Sequence, residues 1–177
     1  MRKKKIFGVL ILAFGLSTLT SCGAYKDNLA ANLMAQLNGR FQIMRAPQQQ
    51  FYNLTTGLQI RVEPTQPQPP SDKNVRSMSN LGVFQTPTIT YIKSMGFKEM
   101  SSGQDYTLTL KLNKVDINTW NGQVDVSLGV RMTDASGSVV FNQEAFAAEK
   151  NLMRVDIALN EAYTKALEQI NWVQIAS

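Results

Sequence analysis

The chain has 177 residues, of which 44% are hydrophobic, and it contains one cysteine and no histidine. The absence of histidine excludes Ser–His and Cys–His nucleophile pairs and the usual histidine-containing zinc sites. The net charge of +5 arises at the N-terminus, because four of the 18 basic residues precede position 22 and leave 14 basic and 13 acidic residues, or +1. The rest of the chain has no basic block that would predict nucleic-acid binding.

The first 22 residues combine a basic start, an apolar run and the one cysteine of the chain. Four basic residues at positions 2–5 precede an apolar run from Ile6 to Leu16. That run is short for a membrane-spanning helix and typical of the hydrophobic region of a signal peptide. The next residues resemble the lipobox, in which an aliphatic residue and two small residues precede a cysteine; here they are Leu19, Thr20, Ser21 and Cys22. The resemblance implies cleavage between Ser21 and Cys22 and a diacylglycerol on the Cys22 sulfur. Because the chain has no histidine and its one cysteine is committed to lipid, no metal and no other cofactor are expected.

The residue after this cysteine indicates in which membrane of the envelope the lipoprotein is placed. Gly23 stands where, in enterobacteria-like systems, an aspartate tends to retain lipoproteins in the inner membrane. The resemblance therefore implies an outer-membrane lipoprotein that faces the periplasm of a Gram-negative envelope.

Three segments are predicted: a cleaved signal at residues 1–21, a lipidated tether at 22–50 and a single domain at 51–177. In the tether, leucines recur at positions 29, 33 and 37. This spacing fits a short amphipathic helix near the membrane, and a mobile linker is the alternative.

The domain begins with alternating apolar residues at 58, 60 and 62, which predict a strand that ends in a proline-rich loop. A helix follows, either kinked from about Val75 to Met95 or beginning anew with Thr86 as N-cap and Pro87 at the first helical position. Gly96 is expected to end it in a left-handed conformation.

Residues 106–147 alternate over three segments and predict an antiparallel meander. A bulge near Asn113 or Lys114 would reconcile a change in the parity of the apolar positions. Asn121-Gly122 and residues 134–137 are typical of hairpin turns. A last helix is expected from about Val155 to Trp172. The whole predicts an α+β two-layer sandwich, in which a meander sheet of about four antiparallel strands carries two helices on one face.

Three stretches then resemble the YajG-like bacterial lipoproteins: residues 88–97 (TITYIKSMGF), 105–110 (DYTLTL) and 121–130 (NGQVDVSLGV). The terminal helix, with Ala158, Leu159 and Ala162, fits the same pattern. The auxiliary lipoproteins of ABC-type lipid transporters are similar by the same features. Both resemblances imply a lipid-anchored domain of this fold, and neither supplies catalytic residues.

Trp120, at the predicted hairpin tip, is the candidate partner contact. It would either insert into a partner or membrane interface or fold back onto the sheet. Four aspartates lack the fixed spacing of paired catalytic carboxylates and are expected to have solvated or turn roles; they are Asp105, Asp116, Asp125 and Asp134.

Two functions are compatible with these features. The first is a non-catalytic accessory or scaffold, bound to the membrane by its lipid and to envelope proteins by its domain, without nucleic acid. The second is an auxiliary lipid-binding subunit of an ABC-type envelope transport system, which would need an apolar cavity between sheet and helices. An enzyme is not expected, since there is neither histidine nor a catalytic motif.

Overall fold

A computed structural model describes residues 41–52, 54, 57–64, 75–77, 81–118 and 120–177. The predicted signal, the cleavage residues Ser21 and Cys22, the tether up to residue 40 and the proline-rich loop at 65–70 lie outside the described residues. Within the described part, no helix is long and apolar enough to cross a membrane.

The described chain forms an α+β fold with one mixed sheet. The strands are β1 (Gly57–Pro64), β2 (Val75–Ser77), β3 (Lys98–Glu99), β4 (Tyr106–Asn118), β5 (Gln123–Asp134) and β6 (Val139–Lys150). The order across the sheet is β3-β1-β4-β5-β6, and β2 pairs with the far end of β4. The prediction of an α+β fold with helices on one sheet face is confirmed.

The long strands β4, β5 and β6 form the predicted antiparallel meander. The register of β4 on β5 shifts between Leu112 and Lys114, where the sequence predicted a bulge. This shift lets Leu108, Leu110, Leu112, Val115 and Ile117 all face the core despite their change in parity.

The prediction of about four antiparallel strands is wrong in count and in direction. β1 pairs with β4 in parallel, from Leu58 opposite Tyr106 to Pro64 opposite Leu112, and it also pairs in parallel with β3. Parallel neighbours need a crossover connection, and the helix between β1 and β4 provides one. Two short strands, β2 and β3, complete the sheet and were not predicted.

The described residues contain three helices, α1 (Gln85–Ser94), α2 (Val155–Glu168) and α3 (Trp172–Ala176); a 3₁₀ turn (Leu81–Phe84) leads into α1. The prediction of a kinked helix from Val75 to Met95 is therefore wrong. The alternative start is close, although the residue at the N-cap is Phe84 rather than Thr86. Gly96 adopts φ 107° after α1, as expected of a C-terminal stop.

The last helix ends earlier than predicted and a second one follows. The indole Nε1 of Trp172 donates to the carbonyl oxygen of Leu167 (2.8 Å), which also accepts from the amide of Ile170 (3.2 Å) where α2 ends. Asn171 caps α3, because its side-chain oxygen accepts from the amide of Gln174 (3.2 Å).

The core lies between the sheet and the helices and is filled by large side chains. Trp172, Tyr163 and Phe84 are each no more than 2% exposed, together with leucines from β1, β4, β5 and α2. The opposite sheet face carries threonine, asparagine and charged side chains such as Lys111 and Arg131. Part of the segment expected to be tether also packs in the core, since the Phe41 ring lies 4.6 Å from that of Phe84 and 5.5 Å from that of Tyr163.

Candidate functional site

The β4–β5 hairpin presents Trp120 to solvent. The side-chain oxygen of Asn118 accepts hydrogen bonds from the amides of Trp120 (3.0 Å) and Asn121 (3.4 Å), which fixes the turn. Gly122 completes it with φ 69°. The Trp120 side chain is 72% exposed.

A second loop lies against this turn. The amide of Asn151 donates to the carbonyl of Gly122 (3.0 Å), and a Cβ on Gly122 would come within 2.6 Å of the Leu152 Cα. This close approach requires glycine at position 122. The two loops are therefore held together at the end of the sheet where Asn118, Gln123 and Lys150 align across β4, β5 and β6.

The second loop carries two exposed apolar side chains, Leu152 (63%) and Met153 (88%). The side-chain oxygen of Asn151 orders them by accepting from the amides of Met153 (3.2 Å) and Arg154 (2.9 Å). These two side chains were not predicted as functional residues. The sequence does contain an indication of them, because Leu152 and Met153 are adjacent apolar residues in a loop between Asn151 and Arg154 and belong to no strand or helix pattern.

Trp120, Leu152 and Met153 are called the tip surface below. Residues 119–122 and 151–153 contain no carboxylate, and Lys150 and Arg154 flank the second loop. Arg154 forms two hydrogen bonds to Asp156, at 3.0 and 2.8 Å. This guanidinium lowers the pKa of Asp156, chiefly through those hydrogen bonds.

A groove of about 980 Å³ lies between residues 41–50 and α1. Its lining includes Phe41, Ile43, Val83, Pro87 and Tyr91, with Arg45 at its side. Burial, and secondarily Glu168, raises the pKa of Tyr91 to about 12, while Arg45 acts in the opposite direction. The phenol is therefore neutral at physiological pH and has no charge to offer a ligand.

The aspartates have local partners. The Asp134 carboxylate accepts from the hydroxyl of Ser136 (2.6 Å) and the amides of Ser136 and Ser138 (both 2.9 Å) in the β5–β6 turn; these bonds, led by the Ser136 hydroxyl, lower its pKa. Asp105 accepts from the amide of Gly57 (3.3 Å) at the start of β1, and Asp116 pairs with Lys114 (3.0 Å). Among the described residues, no group of histidine, cysteine, aspartate or glutamate side chains is placed to hold a metal ion.

Comparisons with known proteins place the chain in no family. No family model matches it, and no curated protein sequence matches it. A search of solved structures finds the crystal structure of lipoprotein GNA1162 from Neisseria meningitidis, with a TM-score of 0.37 and 11% identity over 64% of this chain and 99% of that one. A match of this extent does not establish membership of a family.

Proposed function

We propose that the protein is a lipid-anchored, non-catalytic accessory protein of the bacterial envelope. Acyl chains on Cys22 would hold the domain at the outer membrane, on its periplasmic side. The proposal rests on one observation: a basic start, an apolar run of 11 residues from Ile6 to Leu16 and the lipobox-like residues 19–22 follow one another in the order and spacing of a lipoprotein signal.

The described domain supports the non-catalytic part of the proposal. It has no histidine to act as a general base, and the pKa values of Tyr91 and Tyr163 are raised by burial, which keeps both phenols neutral. The aspartates discussed above are engaged in turns, strand ends and ion pairs. An anchored domain of this kind would act by confinement, since tethering raises its effective concentration near membrane partners.

The lipid-carrier alternative is favoured by one feature, the groove beside α1. The predicted position for a cargo cavity was between sheet and helices, and the described part of that interface is filled by buried side chains. If the groove carries lipid in a transport system, native mass spectrometry of the purified protein should show a co-purified phospholipid in addition to the covalent acyl chains.

Substitution of the cysteine tests the anchor. In cells fed labelled palmitate, we expect the wild type to be labelled and to sediment with membranes. Cys22→Ala should lose all label, because no other thiol is present in the chain. A matched control is Ser17→Ala, which leaves residues 19–22 intact and should be labelled normally. Label retained by Cys22→Ala would refute the proposal.

A further inference from the structure

We propose that the tip surface enters the lipid interface of the membrane that holds the anchor, and so orients the domain on that membrane. This inference rests on the proposed function for the presence of a membrane near the domain. It assigns a second, non-covalent membrane contact to Trp120, Leu152 and Met153.

The side chains of the tip surface have the chemistry of a membrane interface. Three large apolar side chains, 63–88% exposed, project from two loops that are bonded to each other at one end of the sheet. Tryptophan concentrates at membrane interfaces, where its ring is apolar and its N–H remains hydrated. Leucine and methionine gain by leaving water for the acyl boundary.

The charged residues beside the two loops also favour a membrane. The apolar loops lack carboxylates, and the residues on either side of Leu152 and Met153 include Lys150 and Arg154, both exposed. The nearby carboxylates Glu149 and Asp156 are paired with Lys165 and Arg154. Lys150 then remains as a positive charge beside the apolar loops, and its alkyl stem can cover apolar surface while its ammonium group reaches phosphate headgroups. This positive charge favours a bilayer that contains anionic lipid.

The direction in which the chain enters the domain also favours contact between the tip surface and the membrane. β1 runs parallel to β4, whose Asn118 end carries the tip surface. Because α1 crosses over from the end of β1 to the start of β4, its first turn lies toward the tip end and its last turn away from it. Phe41 packs on Phe84 just before α1, whereas the amide of Phe51 donates to the carbonyl of Met95 (2.7 Å) just after α1. Phe41 therefore lies nearer the tip end of the domain than Phe51 does.

The length of the connection is compatible with this contact. Residues 23–40 separate Cys22 from Phe41, and a chain of this length spans at most about 65 Å when fully extended. An anchor that joins the domain on the side of the tip surface favours the approach of that surface to the bilayer. The predicted orientation places the β5–β6 turn, at the other end of the sheet, farthest from the lipid.

Quenching of tryptophan emission tests the inference. The lipidated protein is reconstituted in vesicles of phosphatidylethanolamine and phosphatidylglycerol (3:1), with or without brominated acyl chains. Trp120 should be quenched at least twofold, while Trp172, which is 2% exposed, supplies a constant background. Trp120→Phe should abolish the quenchable fraction and so assign it to this residue.

Variants away from the indole separate insertion from simple proximity. The double substitution Leu152→Ser/Met153→Ser should reduce the quenching of Trp120 by more than half. Val139→Ser removes an exposed apolar side chain (48%) at the opposite end of β6 and should leave quenching unchanged. Thermal unfolding of each variant checks that the fold is retained.

Two results would overturn the inference: unquenched Trp120 in the lipidated wild type, or quenching that the double variant leaves intact. Loss of a crosslinked protein partner in Trp120→Ala, with an unquenched wild type, would assign the tip surface to protein binding. Failure of the anchor is distinguished separately, because it would appear as an unmodified Cys22 in the mass of the same preparation.

Discussion

At the scale of single residues, Asn160 joins the entering segment to the domain. Its side-chain amide donates to the carbonyl of Gln42, and its oxygen accepts from the amide of Met44 (3.3 Å). Asn160 is 7% exposed and lies on the buried side of α2. A polar side chain at this position satisfies two backbone groups of a segment that has no regular secondary structure of its own.

We expect Asn160→Ala to release residues 42–44 and to lower the free energy of unfolding by about 1–3 kcal/mol, the net contribution of two hydrogen bonds. Hydrogen exchange at the Met44 amide measures the local effect, which should be a large loss of protection. The matched control is Asn142→Ala on the exposed face of β6, which should change neither quantity. Unaltered protection at Met44 would show that other contacts hold this segment.

Asn160 also marks a limit of sequence reading at this scale. It occupies a helix position whose neighbours, Ala158, Leu159 and Ala162, are apolar and buried. Periodicity assigns a face to such a position but gives no partner, because Gln42 and Met44 lie more than 110 residues away in the chain. Trp120 was identifiable because a hairpin turn is a local feature. Leu152 and Met153 were not, because their proximity to Trp120 depends on how β4, β5 and β6 align.

At the scale of elements, the features with a local cause were predicted and those with a non-local cause were not. Alternation located β4, β5 and β6, and the parity change located the bulge at Leu112/Lys114. The strand pattern of β1 fixes which residues face the core but is the same for parallel and antiparallel pairing. The short strands β2 and β3 have three and two residues, too few to show a period.

Gly96 provides a test at the scale of elements, because backbone strain and steric clash at this position can be measured separately. It has φ 107°, and a Cβ there would lie 2.0 Å from the Phe51 carbonyl oxygen. That oxygen belongs to the segment that enters β1, so the clash cannot be relieved by a side-chain rotation. Gly96→Ala should therefore cost both backbone strain, about 1 kcal/mol or more for a non-glycine residue in this region, and displacement of the 51–54 segment.

The control is Gly103→Ala, where φ is 69° and no atom lies within 4 Å of the added Cβ. This variant should show the strain alone. Chemical denaturation of both variants measures the difference, and we expect Gly96→Ala to be the less stable by at least about 2 kcal/mol, in the range found for overpacked sites. Equal stabilities would mean that residue 51 moves freely and that its contact with the end of α1 contributes little.

At the scale of the whole molecule, residues 41–51 pass between α1 and α2, from Phe41 beside Phe84 to Phe51 beside Met95. The described helices cover one face of the sheet, and the other face is polar. We propose that a lipid anchor on Cys22 holds this domain at a membrane, where it presents a binding surface.

The most direct test of this account is the intact mass of the protein extracted from its native membrane. The account predicts a chain that begins at Cys22 and exceeds the polypeptide mass by a thioether-linked diacylglycerol, with or without an amide-linked acyl chain. A chain that retains residues 1–21, or one with a free thiol at Cys22, would contradict it.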